Sequence, residues 1–254
     1  MKHRIALLLA ASLLLAGCGD GGDAKKAVAQ TAANLHDVHS GDLSVKLLVT
    51  PTGSGNTTPY GFELHGPFVL GSKFFADMTY TQIANGKQAT AHLKAQNGSG
   101  TVESNGKTHA LTSTELADLQ RAAAQATGSG GSFLPVQNWV QHGKLGGCGA
   151  NDCVTGGLDV VRATNDLLAF GRALGRDLPT IKGTDADRLK KAARSGTFSL
   201  VTGKKDRLLR DLTIHVDLGL DVPKTLQAAL GSIVGATFDL DFKIDRPNAV
   251  SAPS

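Results

Sequence analysis

Three cysteines are the residues of this 254-residue chain whose types and spacing point most directly to chemistry. Cys18 stands alone where an apolar run ends, whereas Cys148 and Cys153 bracket four residues, GAND. A cysteine can form a disulfide, ligate a metal or take part in redox reactions, or attach a group from outside the polypeptide. On residue type alone, all three roles are open to Cys18.

The residues before Cys18 have the pattern of a secretory signal. Lys2, His3 and Arg4 precede an apolar run from Ile5 to Leu15, about half of the roughly 20 residues that a bilayer-spanning helix needs. The following LAGC, ending at Cys18, resembles a bacterial lipobox. That resemblance implies cleavage of residues 1–17 and a diacylglycerol on the Cys18 thiol. A buried cysteine and a cleaved but unlipidated chain are the alternatives.

The residues around Cys18 also match G-x-G-x-x-G, the pattern GCGDGG. A dinucleotide-binding loop requires a strand before this pattern and a helix after it within a βαβ unit. Here a signal peptide precedes it, so we reject that interpretation. We expect residues 18–26 to be the lipidated cysteine and a flexible polar tether, followed by one domain over residues 27–250.

An exported protein meets an oxidising compartment, where Cys148 and Cys153 are predicted to form a disulfide. Zinc binding and redox catalysis are weaker alternatives. Both usually use C-x-x-C spacing, and His142 is the only histidine close to the pair.

No catalytic motif is apparent in the sequence. It contains no H-E-x-x-H, G-x-S-x-G or P-loop pattern. His215 is predicted to be solvated on the polar side of a strand. Asp239, Asp241 and Asp245 are predicted to keep an exposed sheet face soluble rather than to bind calcium. We therefore expect no enzyme activity, metal or cofactor, although an exported hydrolase with a scattered triad stays open.

The charge balance gives no indication of a nucleic-acid partner. The formal net charge is +4, and without Lys2 and Arg4 the chain has 24 basic against 22 acidic residues. No Lys/Arg stripe interleaved with aromatic residues is present.

The spacing of apolar residues predicts the elements that position these groups. A helix is expected over Ala24–His39, then a strand at 43–49. Short strands follow over 60–64, 68–70, 74–81, 89–95, 100–103 and 107–111, with turns at Gly66-Pro67 and at three Asn-Gly pairs. Thr112 and Glu115 form a capping box for a helix to Ala126. Helices are predicted at 135–145, 159–174, 184–195 and 222–231, and strands at 197–202, 208–218 and 238–244.

This order predicts an α+β domain, a single curved antiparallel sheet or half-barrel with helices covering its apolar concave face. Three strands carry four aliphatic or Phe side chains each on the face that alternates with polar residues. These twelve candidate lining positions are Leu43, Val45, Leu47, Val49, Leu212, Ile214, Val216, Leu218, Phe238, Leu240, Phe242 and Ile244. They either fill a closed core or line an apolar pocket.

The segments HSGDLSVKLLV, CVTGGLDVVRATNDLL and IDRPNAV, in this order after the lipobox, resemble the LolA/LolB-like lipoprotein-binding fold. Within that fold the actinobacterial LppX/LprAFG lipoproteins are the most similar group. The resemblance implies a half-barrel around an apolar cavity that binds acyl chains of lipids or lipoproteins and carries them between membranes. The Cys148–Cys153 pair and the aromatic-poor sheet depart from it.

Two functions follow from these observations. The first is a monomeric lipid carrier or chaperone, anchored by Cys18 to the outer face of the cell membrane, on its periplasmic or extracellular side. The second is a structural, interaction or sensor lipoprotein whose core is filled and which has no ligand.

Overall fold

The computed structural model describes residues 21–52, 58–127, 135–173, 177–219, 223 and 235–253. Cys18 and the predicted signal peptide lie outside the described residues, as does the predicted helix at 222–231 apart from Pro223.

The described strands form one open antiparallel sheet in the order β6-β5-β4-β3-β2-β1-β11-β10-β9-β8-β7. Two meanders therefore meet where the first strand pairs with the last. The bounds are β1 Ser40–Thr52, β2 Tyr60–Val69, β3 Phe75–Ala84, β4 Lys87–Gln96, β5 Ser99–Ser104, β6 Lys107–Ala110, β7 Val140–Cys148, β8 Asn151–Leu158, β9 Ala193–Gly203, β10 Leu209–Leu218 and β11 Gly235–Asp245.

The three Asn-Gly pairs make the tight turns of the first meander, as predicted. Asn85, Asn97 and Asn105 each have a φ of 53°, and the glycines that follow have φ between 70° and 76°. Positive φ at both central residues is the type I′ geometry, whose twist matches that of the flanking strands.

The predicted turn at Gly66-Pro67 is wrong, because both residues lie inside β2. A Cβ on Gly66 would sit 2.0 Å from the carbonyl oxygen of Asp77 on the neighbouring β3. Glycine here allows a close approach of two backbones. The pairing of β2 with β3 skips both residues, passing from His65–Thr79 to Phe68–Ala76, so Pro67 removes no hydrogen bond from that ladder.

The predicted helix at 135–145 is also wrong. A short 3₁₀ turn over Val136–Asn138 leads into β7. Gly143, Gly146 and Gly147 disfavour a helix here, and pairing with β8 satisfies the backbone instead.

The helices are α1 Gly21–Ala33, α2 Ser113–Thr127, α3 Val160–Ala173 and α4 Thr184–Ala192. In the described part of the chain, none is long and apolar enough to cross a bilayer. The capping box of α2 is confirmed: the backbone N–H of Thr112 donates to Glu115 Oε2 at 2.8 Å, and the Glu115 N–H donates to Thr112 Oγ1 at 3.3 Å.

Helix α1 starts earlier than expected, at Gly21, inside the segment predicted as a flexible tether through Lys26. The reason is packing: Ala24 is fully buried and belongs to the main core cluster.

The helices cover one face of the sheet in two separate areas. Residues of α1, α3 and α4 are buried together with apolar side chains of β8, β9 and β10. Helix α2 packs through Leu116 on Phe74, Ala76, Met78 and Ala95, at and within β3 and β4. The predicted α+β sheet with helices on its apolar face is confirmed.

Candidate functional site

The strand register brings the twelve candidate lining residues onto one face of three adjacent strands. On β1 and β11, Val45 lies opposite Phe242 and Leu47 opposite Leu240. On β11 and β10, Leu240 in turn lies opposite Ile214. Directly opposed residues of antiparallel strands point to the same side of the sheet. The alternation read from the sequence therefore forms one continuous apolar face across the centre of the sheet.

This face continues onto β2 and β3, where sequence reasoning nominated no lining residue. Leu47 lies opposite Phe62, and Leu64 lies opposite Tyr80. The rings of Phe62 and Tyr80 stack with their centroids 6.0 Å apart. The alternation of Tyr60, Phe62 and Leu64 is visible in the sequence, so this extension was detectable.

Helical cover divides the twelve residues into two classes. The four on β10 are buried beneath the helices, with exposed fractions between 2 and 8%. Most of those on β1 and β11 are only half-buried. We call the half-buried or exposed central strip the apolar trough; its members are Val45, Leu47, Phe62, Tyr80, Phe238 and Leu240.

One end of the trough is closed by a small apolar cluster. Val38, just after the 3₁₀ turn Asn34–Asp37, is buried with Leu208 and Ile244. Leu43, Phe68 and Phe242 pack around them. This cluster places three of the twelve candidates, Leu43, Phe242 and Ile244, in a filled core rather than along an open surface.

The C-terminal residues hold this closed end together. Asn248 accepts a hydrogen bond from the backbone of His39 at 2.7 Å and donates one to the carbonyl of Asp37 at 2.8 Å. Arg246 forms an ion pair with Asp42 at 2.7 Å. The segment IDRPNAV thus has a structural role, which residue types alone did not indicate.

The described part of the chain also has a concave feature beside α2. A groove of about 360 Å³ is bordered by Leu70, Gly71, Phe74, Ala117, Gln120 and Arg121. It lies over the area that α2 covers, away from the trough.

The opposite face of the sheet is polar, as predicted. His215 lies 2.6 Å from Asp239, and Lys46 lies 2.9 Å from Glu63. The hydrogen bond and charge of Glu63 raise the pKa of Lys46. Asp245 pairs with Lys243 at 2.7 Å. Among the residues that the structure describes, no group of three or more potential ligands is placed to hold a metal ion.

The predicted disulfide between Cys148 and Cys153 is present, with a Cα–Cα distance of 5.7 Å. Cys148 ends β7 opposite Asn151, and Cys153 lies opposite Gly146. The bond therefore pins the tip of the β7–β8 hairpin at one edge of the sheet, where β9 and β10 separate it from β11, the nearest strand of the trough.

Comparison with known proteins returns structural matches only. No family model and no curated protein matches the chain. LprF from Mycobacterium bovis matches with 11% identity and a TM-score of 0.46, over 92% of this chain and 97% of that one. The Mycobacterium tuberculosis lipoprotein LppX matches with 11% identity and a TM-score of 0.36, over 91% and 99%. Both are of the LppX/LprAFG type that the sequence resembles.

Proposed function

We propose that this chain is a bacterial lipoprotein that binds the acyl chains of a lipid in the apolar trough. One observation carries the proposal: a continuous strip of apolar side chains stays half-buried or exposed between two helix-covered areas of the same sheet face. A sheet face that served only as a core would bury that strip as it buries the four β10 residues.

The chemistry of the trough suits a hydrocarbon chain. Its six members are aliphatic or aromatic, and the one polar atom they contribute is the Tyr80 hydroxyl, on a side chain 40% exposed. Each methylene moved from water onto such a surface gains about 0.8 kcal/mol. Binding then needs no reaction, and a chain taken up from one membrane can be released to another. Carriage or chaperoning of lipid within the cell envelope is the function that this mechanism supports.

The second part of the proposal concerns location. The lipobox-like sequence LAGC predicts that Cys18 carries the anchor. Cys148 and Cys153 are paired in the disulfide. Of the three cysteines in the sequence, Cys18 is therefore the one that remains for a lipid anchor. We propose an exported protein held at the outer face of the cell membrane by its N-terminal lipid.

Native mass spectrometry of the purified mature protein, followed by organic extraction, tests the ligand. We expect lipid bound in stoichiometric amount in addition to any covalent anchor, which stays on Cys18 after extraction. A protein that carries no extractable lipid and shows no thermal shift across a panel of fatty acids and phospholipids contradicts the proposal. That result favours a lipoprotein whose function is interaction or sensing.

Adjacent residues of β1 provide a matched pair of variants. Leu47 lies in the trough, whereas Leu48 points to the polar face opposite Asp239. Leu47→Lys places a charge among apolar side chains and should abolish lipid retention. Leu48→Lys adds the same group beside a carboxylate and should retain lipid. Circular dichroism shows whether both variants are folded, and equal lipid content in the two contradicts binding in the trough.

A further inference from the structure

One row of directly opposed side chains crosses the sheet from the helix-covered strand β10 to the edge strand β6. The strand pairings link Leu212 on β10 to Lys107 on β6 without a break. In order, the row consists of Leu212, Phe242, Val45, Leu64, Tyr80, Ala91, Ser104 and Lys107. Because directly opposed residues point to the same side of a sheet, Lys107 lies on the same face as the trough.

The polarity of this row changes between β3 and β6. As far as Leu64 on β2 the side chains are apolar, whereas Tyr80 contributes a hydroxyl and Lys107 ends the row with an ammonium group. Three strand spacings, about 14 Å, separate the backbones of Tyr80 and Lys107. The two residues between them, Ala91 and Ser104, have small, half-buried side chains. The trough is therefore followed, on the same face, by a low floor with polar groups at its two sides.

The charged side chains of β1–β6 and β11 are divided unequally between the two faces of the sheet. Every carboxylate of these strands is on the polar face, away from the trough. These residues are Asp42, Glu63, Asp77, Glu103, Asp239, Asp241 and Asp245. The basic side chains that the same strands place on the trough face are Lys87, Lys107 and His109. In this part of the described chain, the charged strand residues beside the trough are thus basic.

The acids at the start of α2 already have partners. Glu115 caps the helix, and its Oε2 lies 3.5 Å from His109 Nε2. Asp118 pairs with Arg121 at 2.8 Å. Lys107 is exposed and forms no ion pair with any residue that the structure describes. Its ammonium group is therefore available to an anion from outside the chain.

We propose that the trough binds a lipid whose polar end is anionic, a phosphate or a carboxylate, and that Lys107 and the Tyr80 hydroxyl bind this anion. The acyl chains lie across β2, β1 and β11, and the anion lies over Ala91 and Ser104. Ammonium and hydroxyl groups donate hydrogen bonds, which phosphate and carboxylate oxygens accept. This inference rests on the proposed binding of lipid in the trough and adds the class of lipid.

Competition between two lipids with the same acyl chains tests the headgroup. Delipidated mature protein is incubated with equal amounts of dipalmitoylphosphatidylglycerol and dipalmitoylglycerol in detergent micelles, and native mass spectrometry gives the ratio of the two complexes. A second mixture, of palmitate and hexadecanol, distinguishes a carboxylate from a phosphate. We expect the anionic lipid to predominate in at least one mixture.

The outcomes of this competition separate the headgroup from the trough. Equal occupancy by the anionic and the neutral lipid in both mixtures overturns the anionic class but leaves lipid binding in the trough intact. Absence of bound lipid in both mixtures contradicts the proposed function as well.

Two lysines provide a matched pair of variants. Lys94 on β4 is also exposed and without an ion pair in the described chain, but it lies on the polar face opposite Asp77. Lys107→Gln should lower the ratio of anionic to neutral complex about threefold to fivefold, the range of an exposed ion pair. Lys94→Gln should leave the ratio unchanged. Equal ratios in the two variants, with circular dichroism showing that both are folded, overturn the proposal.

The hydroxyl and the charge can be tested separately. Tyr80→Phe keeps the ring that stacks on Phe62 and removes only the hydroxyl. The total lipid bound should stay the same, and the ratio of anionic to neutral complex should fall. The ratio in the wild type should also fall as NaCl is added, because salt screens exposed charges. An unchanged ratio in Tyr80→Phe overturns the role of the hydroxyl, and a ratio independent of salt overturns that of Lys107.

Discussion

Gly143 of β7 lies directly against Ala24 of α1, with no room between them for a side chain. A Cβ at position 143 would sit 3.0 Å from the Ala24 Cβ and 2.8 Å from Val140 Cγ1. This contact lets α1 approach the edge strand closely enough to bury Ala24 and Val28 completely.

The first prediction follows from that contact. Gly143→Val should destabilise the protein by about 1–3 kcal/mol, because the larger side chain pushes α1 away from the sheet. Gly146→Val on the same strand is the control, since a Cβ there would meet no atom within 4 Å. Urea unfolding measures the free energy of unfolding of both variants. Equal losses of stability in the two variants would show that the close approach does not matter.

The second prediction concerns a buried pair of hydroxyls. Thr31 Oγ1 lies 2.8 Å from Thr202 Oγ1, which donates to the carbonyl of Leu208 at 3.2 Å. Thr202→Val removes a donor from a buried carbonyl and a partner from Thr31, so a loss of about 1–3 kcal/mol is expected. In a cycle with Thr31→Val, the two losses should not add. Strict additivity in urea unfolding would contradict the coupling.

The third prediction concerns the disulfide. Cys148→Ser/Cys153→Ser should lower stability by about 2 kcal/mol, because the bond closes a loop of only six residues. Trough binding should persist, since this hairpin lies at the sheet edge. Chemical denaturation measures the stability, and native mass spectrometry measures the lipid content. Loss of bound lipid in a variant that remains folded would contradict the placement of the hairpin away from the trough.

The fourth prediction is a pH dependence from the capping box. Hydrogen bonds from the backbone and hydroxyl of Thr112 lower the pKa of Glu115 below its usual value. A carboxylate with a lowered folded-state pKa stabilises the fold above its unfolded pKa, about 4.3, and loses this effect as pH falls through the folded value. The stability difference between the wild type and Glu115→Gln should therefore be present at pH 7 and shrink below about pH 4. A difference independent of pH would exclude the carboxylate as its source.

Much of the sheet is predictable because its signals are local. Asn-Gly pairs fix the hairpins of the first meander, and strict alternation on β10 and β11 assigns each side chain to a face. The errors occur where long-range contacts determine the local conformation. The backbone of β3 determines the conformation at Gly66, and pairing with β8 determines that of the residues after Pro135.

The candidate site is predictable only in part. Alternation nominates Leu47 and Leu212 equally, yet Leu212 is buried in the main core while Leu47 stays half-buried. The difference depends on where α1, α3 and α4 lie over the sheet, and no local pattern encodes that placement. The alternation of Phe62 with Tyr60 and Leu64 is visible in the sequence, but only the pairing of β2 with β1 shows that this side joins the apolar face. Tyr80 joins the face through the pairing of β3 with β2.

The pairing of β1 with β11 also has a consequence for how the chain folds. Leu43 and Ile244 are opposed across this seam although they are about 200 residues apart, a separation typical of slow-forming contacts. The two meanders can assemble from neighbouring segments, but the seam needs β11, the last of the described strands. Until β11 is available for pairing, β1 has an unpaired edge next to an incomplete apolar face. Such a state is prone to aggregation. A chain translocated from its N-terminus would complete the trough only when β11 has emerged.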